Sequence, residues 1–481
     1  MTEASLTSTS DDSRQSTSHL SAKDLLSSAE ALRPTLGEHF RDELVNSLYR
    51  EAESIARRAV RQKDDHHYDL DQKIDRLVTS PIFGLPLMLL LLAAVFWVTI
   101  VGANIPSQML ANALFSLEEQ GVAAFNWLGL PWWITGFLWN GVFRGLAWVV
   151  SVMLPPMAIF FPIFTILEDL GYLPRVAFNL DFLFKKAGAH GKQSLSMAMG
   201  FGCNAAGVIS TRVIDSPRER LIAILTNNFV PCNGRFPTLI MLATVFVAAA
   251  FPPALASFAA AGSVVLVVMI GAFFTLAVSW ALSRTILKGE ASAFTLELPP
   301  YRVPNIGRIL YTSLIDRTFF VLMRAVMTAA PAGAVIWVLG NLSVNGMSLA
   351  AHIANFLNPL GVLIGLDGVI LLAYIIAIPA NEIVVPTMLM VYMGAGMMTE
   401  SPDHNFLYHL LVGQHGWTLL TAVNLMLFSL LHNPCATTIL TIYKETNSKK
   451  WAIMSVVITL GLAFLITFLT ASLARLAGWV S

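Results

Sequence analysis

The sequence predicts an all-α, polytopic membrane protein, on three observations. Of its 481 residues 56% are hydrophobic and only 12% charged, with a mean hydropathy of +0.66. A soluble domain carries about 25% charged residues, so a globule this apolar could not cover itself with a polar surface. Apolar stretches of about 20 residues, the length that crosses a hydrocarbon core, recur from Ile82 to the C-terminus. Lys and Arg concentrate in alternate loops, as the positive-inside rule requires.

Residues 1–22 are rich in Ser and Thr and read as a disordered tail. No basic stretch precedes an apolar one there, so no cleavable signal peptide is expected. Residues 23–80 read as a cytoplasmic helical segment. Leu44, Leu48, Ala52, Ile55 and Ala59 fall at steps of three and four, the spacing of an amphipathic helix. Asp64, Asp65, His66 and His67 could gather a metal, but a solvated turn beside the membrane is the plainer reading.

Spans are expected near 82–101, 143–167, 219–250, 262–286, 321–340, 366–393, 417–443 and 452–476, roughly seven to nine transmembrane helices in all. Trp127, Trp132, Trp133 and Trp139 form an interfacial belt before the second span. Lys73 and Arg76 place the N-terminus in the cytoplasm. The loop 102–142 up to its Trp belt lacks Lys and Arg and is expected outside, while 171–220 and 284–324 carry many and are expected inside. The alternation fails at 341–365 and 394–416, neither of which has a Lys or Arg, and is restored if 366–393 enters and leaves on one side as a re-entrant pair.

Four apolar segments are interrupted by helix breakers: Met199-Gly200-Phe201-Gly202-Cys203-Asn204, Pro231-Cys232-Asn233-Gly234-Arg235-Phe236-Pro237, Ile378-Pro379-Ala380-Asn381-Glu382, and His432-Asn433-Pro434-Cys435. In lipid, unpaired backbone survives only inside protein or along a wet cavity, and unwound mid-membrane segments are where secondary transporters build ion sites. All three cysteines of the chain, Cys203, Cys232 and Cys435, sit at these breaks. The remaining break carries Glu382, and an intramembrane carboxylate is expensive and functional by default. Each break also holds an asparagine: Asn204, Asn233, Asn381 and Asn433. A lone membrane cysteine is usually a small buried hydrophobe, and Glu382 could merely cap a half-helix. The coincidence of every cysteine with a break favours a site. Thiolates, a carboxylate and amide oxygens suit a borderline divalent first-row metal better than Mg²⁺ or Ca²⁺. Arg235 could neutralise Glu382 or cap carbonyls. Glu400, Asp403, His404, His409 and His415 read as a polar loop. The neutral net charge gives no sign of a nucleic-acid partner, and no G-x-x-x-x-G-K-[S/T] occurs in the sequence.

From about Asp71 to Trp479 the chain resembles the membrane domain of the ferrous iron transport protein B (FeoB) family. The resemblance rests on Asp71 to Leu92, Leu167-Glu168-Asp169-Leu170-Gly171-Tyr172, His190-Gly191-Lys192 leading to Gly202-Cys203-Asn204, Glu297-Leu298-Pro299-Pro300-Tyr301-Arg302, and Asn433-Pro434-Cys435 followed by Lys444-Glu445-Thr446 and Trp451. It departs from the family at Ala205-Ala206, where Val-Pro is common, at Pro231 and Asn233-Gly234, and at Asn381-Glu382, where Lys-Glu is usual. The family's GTPase domain has no counterpart here, so no enzymatic activity is expected of this sequence. The resemblance implies two related halves, 81–290 and 321–481, joined by a cytoplasmic linker, 291–320. It implies transport of ferrous iron, with Cys203, Cys232 and Cys435 as soft ligands, Glu382 as the anionic one, Asn204 and Asn381 as supporting oxygens, and Glu168 and Asp169 aiding release. No permanently bound cofactor is expected. The implied partners are the divalent metal ion and the lipid bilayer of a bacterial inner membrane, with a separate GTPase subunit and a homo-oligomer as further options. An organic solute such as a nucleoside is the alternative cargo.

Overall fold

A computed structural model describes residues 27–28, 31, 40–59, 66–80, 82–289, 301–399 and 404–478. The tail 1–22, Asp64, Asp65, Glu400, Asp403 and the whole of Glu297–Pro300 lie outside the described residues. The chain divides into two compact units, one holding residues 1–65 and 293–295 and the other nearly everything else. In the first, helix α1 (Phe40–Ala59) exposes Leu44, Leu48 and Ile55, the apolar stripe its spacing predicts.

The second unit opens with α2 (His66–Val78), so His66 and His67 begin a helix rather than a turn. Helix α3 (Gly84–Trp127) runs 44 residues, roughly 66 Å at 1.5 Å per residue. The external loop expected from residue 102 is therefore helical up to Trp127. Its apolar and alanine-rich sequence sustains the helix, and Pro106 does not end it. Helix α4 (Trp132–Asp169) includes a π-helical stretch, Gly136–Phe143. There follow α5 (Tyr172–Lys186), α6 (Gln193–Gly202), α7 (Asn204–Ser210), α8 (Pro217–Thr226), α9 (Phe236–Ala250) and α10 (Pro253–Arg284). The second half holds α11 (Ile306–Tyr311), α12 (Phe320–Asn341), α13 (Leu349–Leu363), α14 (Gly368–Ile376), α15 (Val384–Met393), α16 (His404–Tyr408), α17 (Leu419–Leu431), α18 (Ala436–Thr446) and α19 (Lys449–Leu476). His404–Gln414 is thus helical, not a loop, and lies beside Phe246–Trp417 ring packing. Among the described residues six helices are long and apolar enough to span a membrane, or seven if α13 and α14, bent by 111°, are one.

The two halves run in opposite senses. Helix α4 ends near α2, because Arg175, just beyond it, binds Asp75 of α2. Helix α12 begins at that same face, where Ser313 donates to Thr165 Oγ1 at 3.0 Å, and its far end crosses the start of α4. There a Cβ on Gly333 would lie 2.3 Å from Gly141 O, and one on Gly136 would strike Trp337. Small residues permit such close backbone approach. Helices α6 and α7 form a hairpin rooted at the α2 face, its base tied by Lys192 Nζ to Asp215 at 2.9 Å. Helices α14 and α15 form the counterpart, its base tied by a Tyr392 Oη–Asp367 hydrogen bond. This base lies at the opposite face, since Asn341 at the end of α12 donates to Gly396 O at 2.5 Å. The re-entrant reading of 366–393 is what the structure shows. The broken crossings are likewise opposed. Arg218 at the start of α8 donates to Leu287 O at the α2 face. Trp417 before α17 donates to Tyr392 Oη at the opposite face, and α18 ends where Glu445 meets Arg212 and Arg220. Each half is therefore a leading helix, a re-entrant hairpin, a broken crossing and a closing helix, the inverted arrangement that puts helix breaks at mid-membrane.

The α2 face is fastened by one polar cluster. Arg175, 1% exposed, forks onto Asp75 at 2.8 and 3.2 Å and donates to Gly171 O at 2.7 Å. Gly171 adopts φ 81°, the left-handed turn that ends α4. The Tyr301 ring lies 3.9 Å from the guanidinium, and its hydroxyl donates to Asp75 at 2.8 Å. Partial burial pushes the Asp75 carboxyl up, but the Arg175 and Tyr301 hydrogen bonds outweigh it and hold the group below its ordinary value. Burial and the Asp75 hydrogen bond push Tyr301 up to about 12.

Candidate functional site

The hairpin tips are built alike. Cys203 is a single extended residue (φ −157°, ψ 125°) between α6 and α7, and Ala380 repeats that geometry (φ −152°, ψ 119°) before Asn381. An asparagine opens the returning helix in both cases. The crossings also match, each breaking at a Pro-Cys pair, Pro231-Cys232 and Pro434-Cys435. The residue after each cysteine donates its N–H to a carbonyl just before its own half's tip, Asn233 to Gly202 O at 3.4 Å and Ala436 to Ile378 O at 2.8 Å. Tip and break are thereby joined within each half.

All four breaks converge on one small cavity. Its wall includes each of the six residues chosen from the sequence: Cys203, Asn204, Cys232, Asn381, Glu382 and Cys435. Gly202, Gly234, Pro379, Thr437 and Thr438 complete the polar side, and Met153, Met157, Val321 and Ala325 the apolar side. Glu382 is 8% exposed and packs against bare backbone, since a Cβ on Gly234 would lie 2.3 Å from its Oε1. Cys435 Sγ lies 3.3 Å from Thr438 Oγ1. All three thiols are free. Among the described residues no three His, Cys, Asp or Glu side chains sit close enough together to hold an ion between them.

The residues behind the wall are fixed. With its amide turned to suit its surroundings, Asn204 donates to Gly200 O at 3.1 Å and Val230 O at 3.2 Å. Asn227 wedges between Gly200 and Gly207, at both of which a Cβ would collide with it, and donates to Asn204 O at 3.1 Å. His432 lies outside the cavity wall, with Nδ1 at 2.8 Å from Ser429 O and Nε2 at 3.3 Å from Asn381. A carbonyl only accepts, so Nδ1 carries a hydrogen, and Nε2 faces Asn381 Oδ1. Arg235 does not pair with Glu382. It is 1% exposed and donates to Asn228 O, Leu430 O and His432 O at 2.9, 2.8 and 3.1 Å. Glu168 and Asp169 are exposed at the end of α4 and do not line the cavity. Sequence reasoning missed Thr438, although its place three residues after Cys435 marks it, and Asn227, whose partners are two glycines seven apart.

Residues 150–246 and again 303–449, just over half of the chain and one stretch in each half, match the Gate family, described as nucleoside recognition. The chain belongs to the Gate family. Residues 264–316, between these stretches and overlapping the start of the second, match the family described as ferrous iron transport protein B C terminus. The Gate chain is 27% identical over 441 residues to a Fe(2+) transporter FeoB of Staphylococcus aureus, covering 88% of this chain and 62% of that protein. It is 28% identical over 413 residues to the Fe(2+) transporter FeoB of Synechocystis, covering 85% and 64%. A Fe(2+) transport protein A/Fe(2+) transporter FeoB fusion protein of Porphyromonas gingivalis is 26% identical over 454 residues, covering 83% and 51%. The Gate chain thus spans less than two thirds of the length of these relatives. No solved structure matches it.

Proposed function

We propose that this chain carries a divalent transition metal, ferrous iron first, across a bacterial inner membrane by alternating access around the four-break cavity. One observation carries the reading: three cysteines and a carboxylate, drawn from both inverted halves, line a single cavity at the hairpin tips. The names of the relatives agree with it. Cys203, Cys232 and Cys435 supply soft ligands, Glu382 the anionic one, and Asn204 and Asn381 supporting oxygens. No three of the described His, Cys, Asp and Glu side chains sit close enough to share an ion, so ligation requires the tips to draw in on it. Iron is cargo in this scheme, not a resident cofactor. The α2 face, rich in Lys and Arg, lies in the cytoplasm.

Uptake into proteoliposomes holding only this chain tests the proposal, with Fe²⁺ under anaerobic reduction set against Mn²⁺ and Zn²⁺. The expected result is Fe²⁺ accumulation that Cys203→Ser and Glu382→Gln each reduce at least about tenfold. Full uptake by Cys203→Ser overturns the site, and absence of uptake for every metal overturns carriage by this chain alone. The description of the Gate family as nucleoside recognition favours a second reading, an organic solute carrier, which predicts metal-independent uptake of a nucleoside. The fusion relative points to accessory proteins, and a GTPase subunit that restores uptake would mark this chain as the membrane half of a split system.

A further inference from the structure

We infer that Arg235 is the positioning residue of the cavity, the group that fixes Cys232 and Cys435 relative to each other across the boundary between the halves. The inference rests on the metal-carrier reading above and adds a residue that does not touch the cargo.

Arg235 is attached to Cys232 through the backbone, its N–H closing a turn onto Cys232 O at 2.9 Å. Its guanidinium then reaches into the other half. Nη1 donates to Leu430 O at 2.8 Å and Nη2 to His432 O at 3.1 Å, on the strand of chain that leads through Pro434 to Cys435. Nη1 also returns to Asn228 O at 2.9 Å, just before Pro231. One side chain therefore grips the backbone that precedes both Pro-Cys pairs.

The charge explains why an arginine is there. Helix α17 ends at Leu431, and its last carbonyls carry the negative end of the helix dipole. A guanidinium stays protonated and presents a rigid fork, so it can hold several carbonyls at once where an ammonium cannot. Because the helix end meets the charge, Glu382 is left to the cavity. The other half supplies a comparison. Three residues after the cysteine, the place of Arg235 is taken by Thr438, whose hydroxyl sits 3.3 Å from Cys435 Sγ. The same fold is thus built there without a buried cation, so the arginine serves the pair of cysteines rather than the fold.

The test is anaerobic Co²⁺ titration of the full chain in detergent, read by the thiolate-to-cobalt absorption band, together with Fe²⁺ uptake kinetics in proteoliposomes. The native chain is expected to give a band that Cys232→Ser diminishes. Arg235→Gln is expected to need at least about tenfold more Co²⁺ for half-saturation and to raise the KM for Fe²⁺ by a similar factor, with the maximal rate per folded transporter within about twofold. A purely structural role would instead lower the folded fraction and leave KM unmoved. Arg235→Lys, which keeps the charge but not the fork, is expected to fall between, and it decides the question if the glutamine variant does not fold. A native band and KM that persist unchanged in the folded variant overturn the role of Arg235 alone. A native chain with neither band nor uptake overturns the carrier reading, and this inference with it.

Discussion

Gly234 of one half and Glu382 of the other meet without a side chain between them, a Cβ on Gly234 falling 2.3 Å from Glu382 Oε1. The atom it would meet is the mobile end of a glutamate, so Gly234→Ala is expected to fold, with a stability change within about 1 kcal/mol. The carboxylate must then swing away from its place in the wall. Metal uptake is expected to fall at least about tenfold while the melting temperature holds. Thermal unfolding and uptake measured on one preparation check this, and full uptake would remove Glu382 from the site.

Gly333→Ala is expected to do the reverse. Its Cβ would lie 2.3 Å from Gly141 O, a backbone atom that cannot step aside. Overpacking of this kind costs about 1–3 kcal/mol, and more where backbone must move. The α4–α12 crossing should loosen, seen as a lower midpoint of thermal unfolding in detergent.

Asp75→Asn is expected to cost roughly 3 kcal/mol near neutral pH, because it leaves the buried Arg175 guanidinium without its carboxylate. The folded state holds Asp75 below its ordinary value. Its contribution is therefore present above about pH 4 and is lost as the pH falls through the folded value. Tyr301, raised to about 12, contributes fully below about pH 10 and loses that contribution toward the raised value. Stability of the native chain and of Asp75→Asn, followed from pH 7 downward, should converge under acid.

Glu445, with its side chain 7% exposed, takes Arg212 at 2.6 Å and Arg220 at 2.7 Å and so ties the halves at the α2 face. Glu445→Gln is expected to lose about 2 kcal/mol. Pairing Arg212→Glu with Glu445→Arg should recover part of that loss. A double-mutant cycle with no coupling between these positions would contradict the tie.

The breaks, and the membership of the cavity, were legible in the sequence because glycine and proline announce unwound helix and because thiols and a carboxylate are conspicuous in an apolar chain. The re-entrant hairpin at 366–393 could be read from missing Lys and Arg. What joins the halves could not. Arg235 and Leu430 are 195 residues apart, and nothing near either names the other. Gly234 reads as a mere helix breaker until Glu382 lies against it. The continuation of α3 to Trp127 was hidden because Pro106 and interfacial polar residues imitate the end of a span.

Since the hairpins are rooted at opposite faces, each tip hangs from only one of them. In a carrier, influx and efflux would then carry separate fingerprints. If each hairpin gated its own face of that carrier, a change at Cys203 would weigh on exchange with the α2 side, and a change at Ala380 on exchange with the other. Vesicles holding the protein in both orientations would report the pair as two kinetic phases. The molecule would work as a turnstile whose two directions of travel are written in different stretches of chain, and each could be slowed without the other.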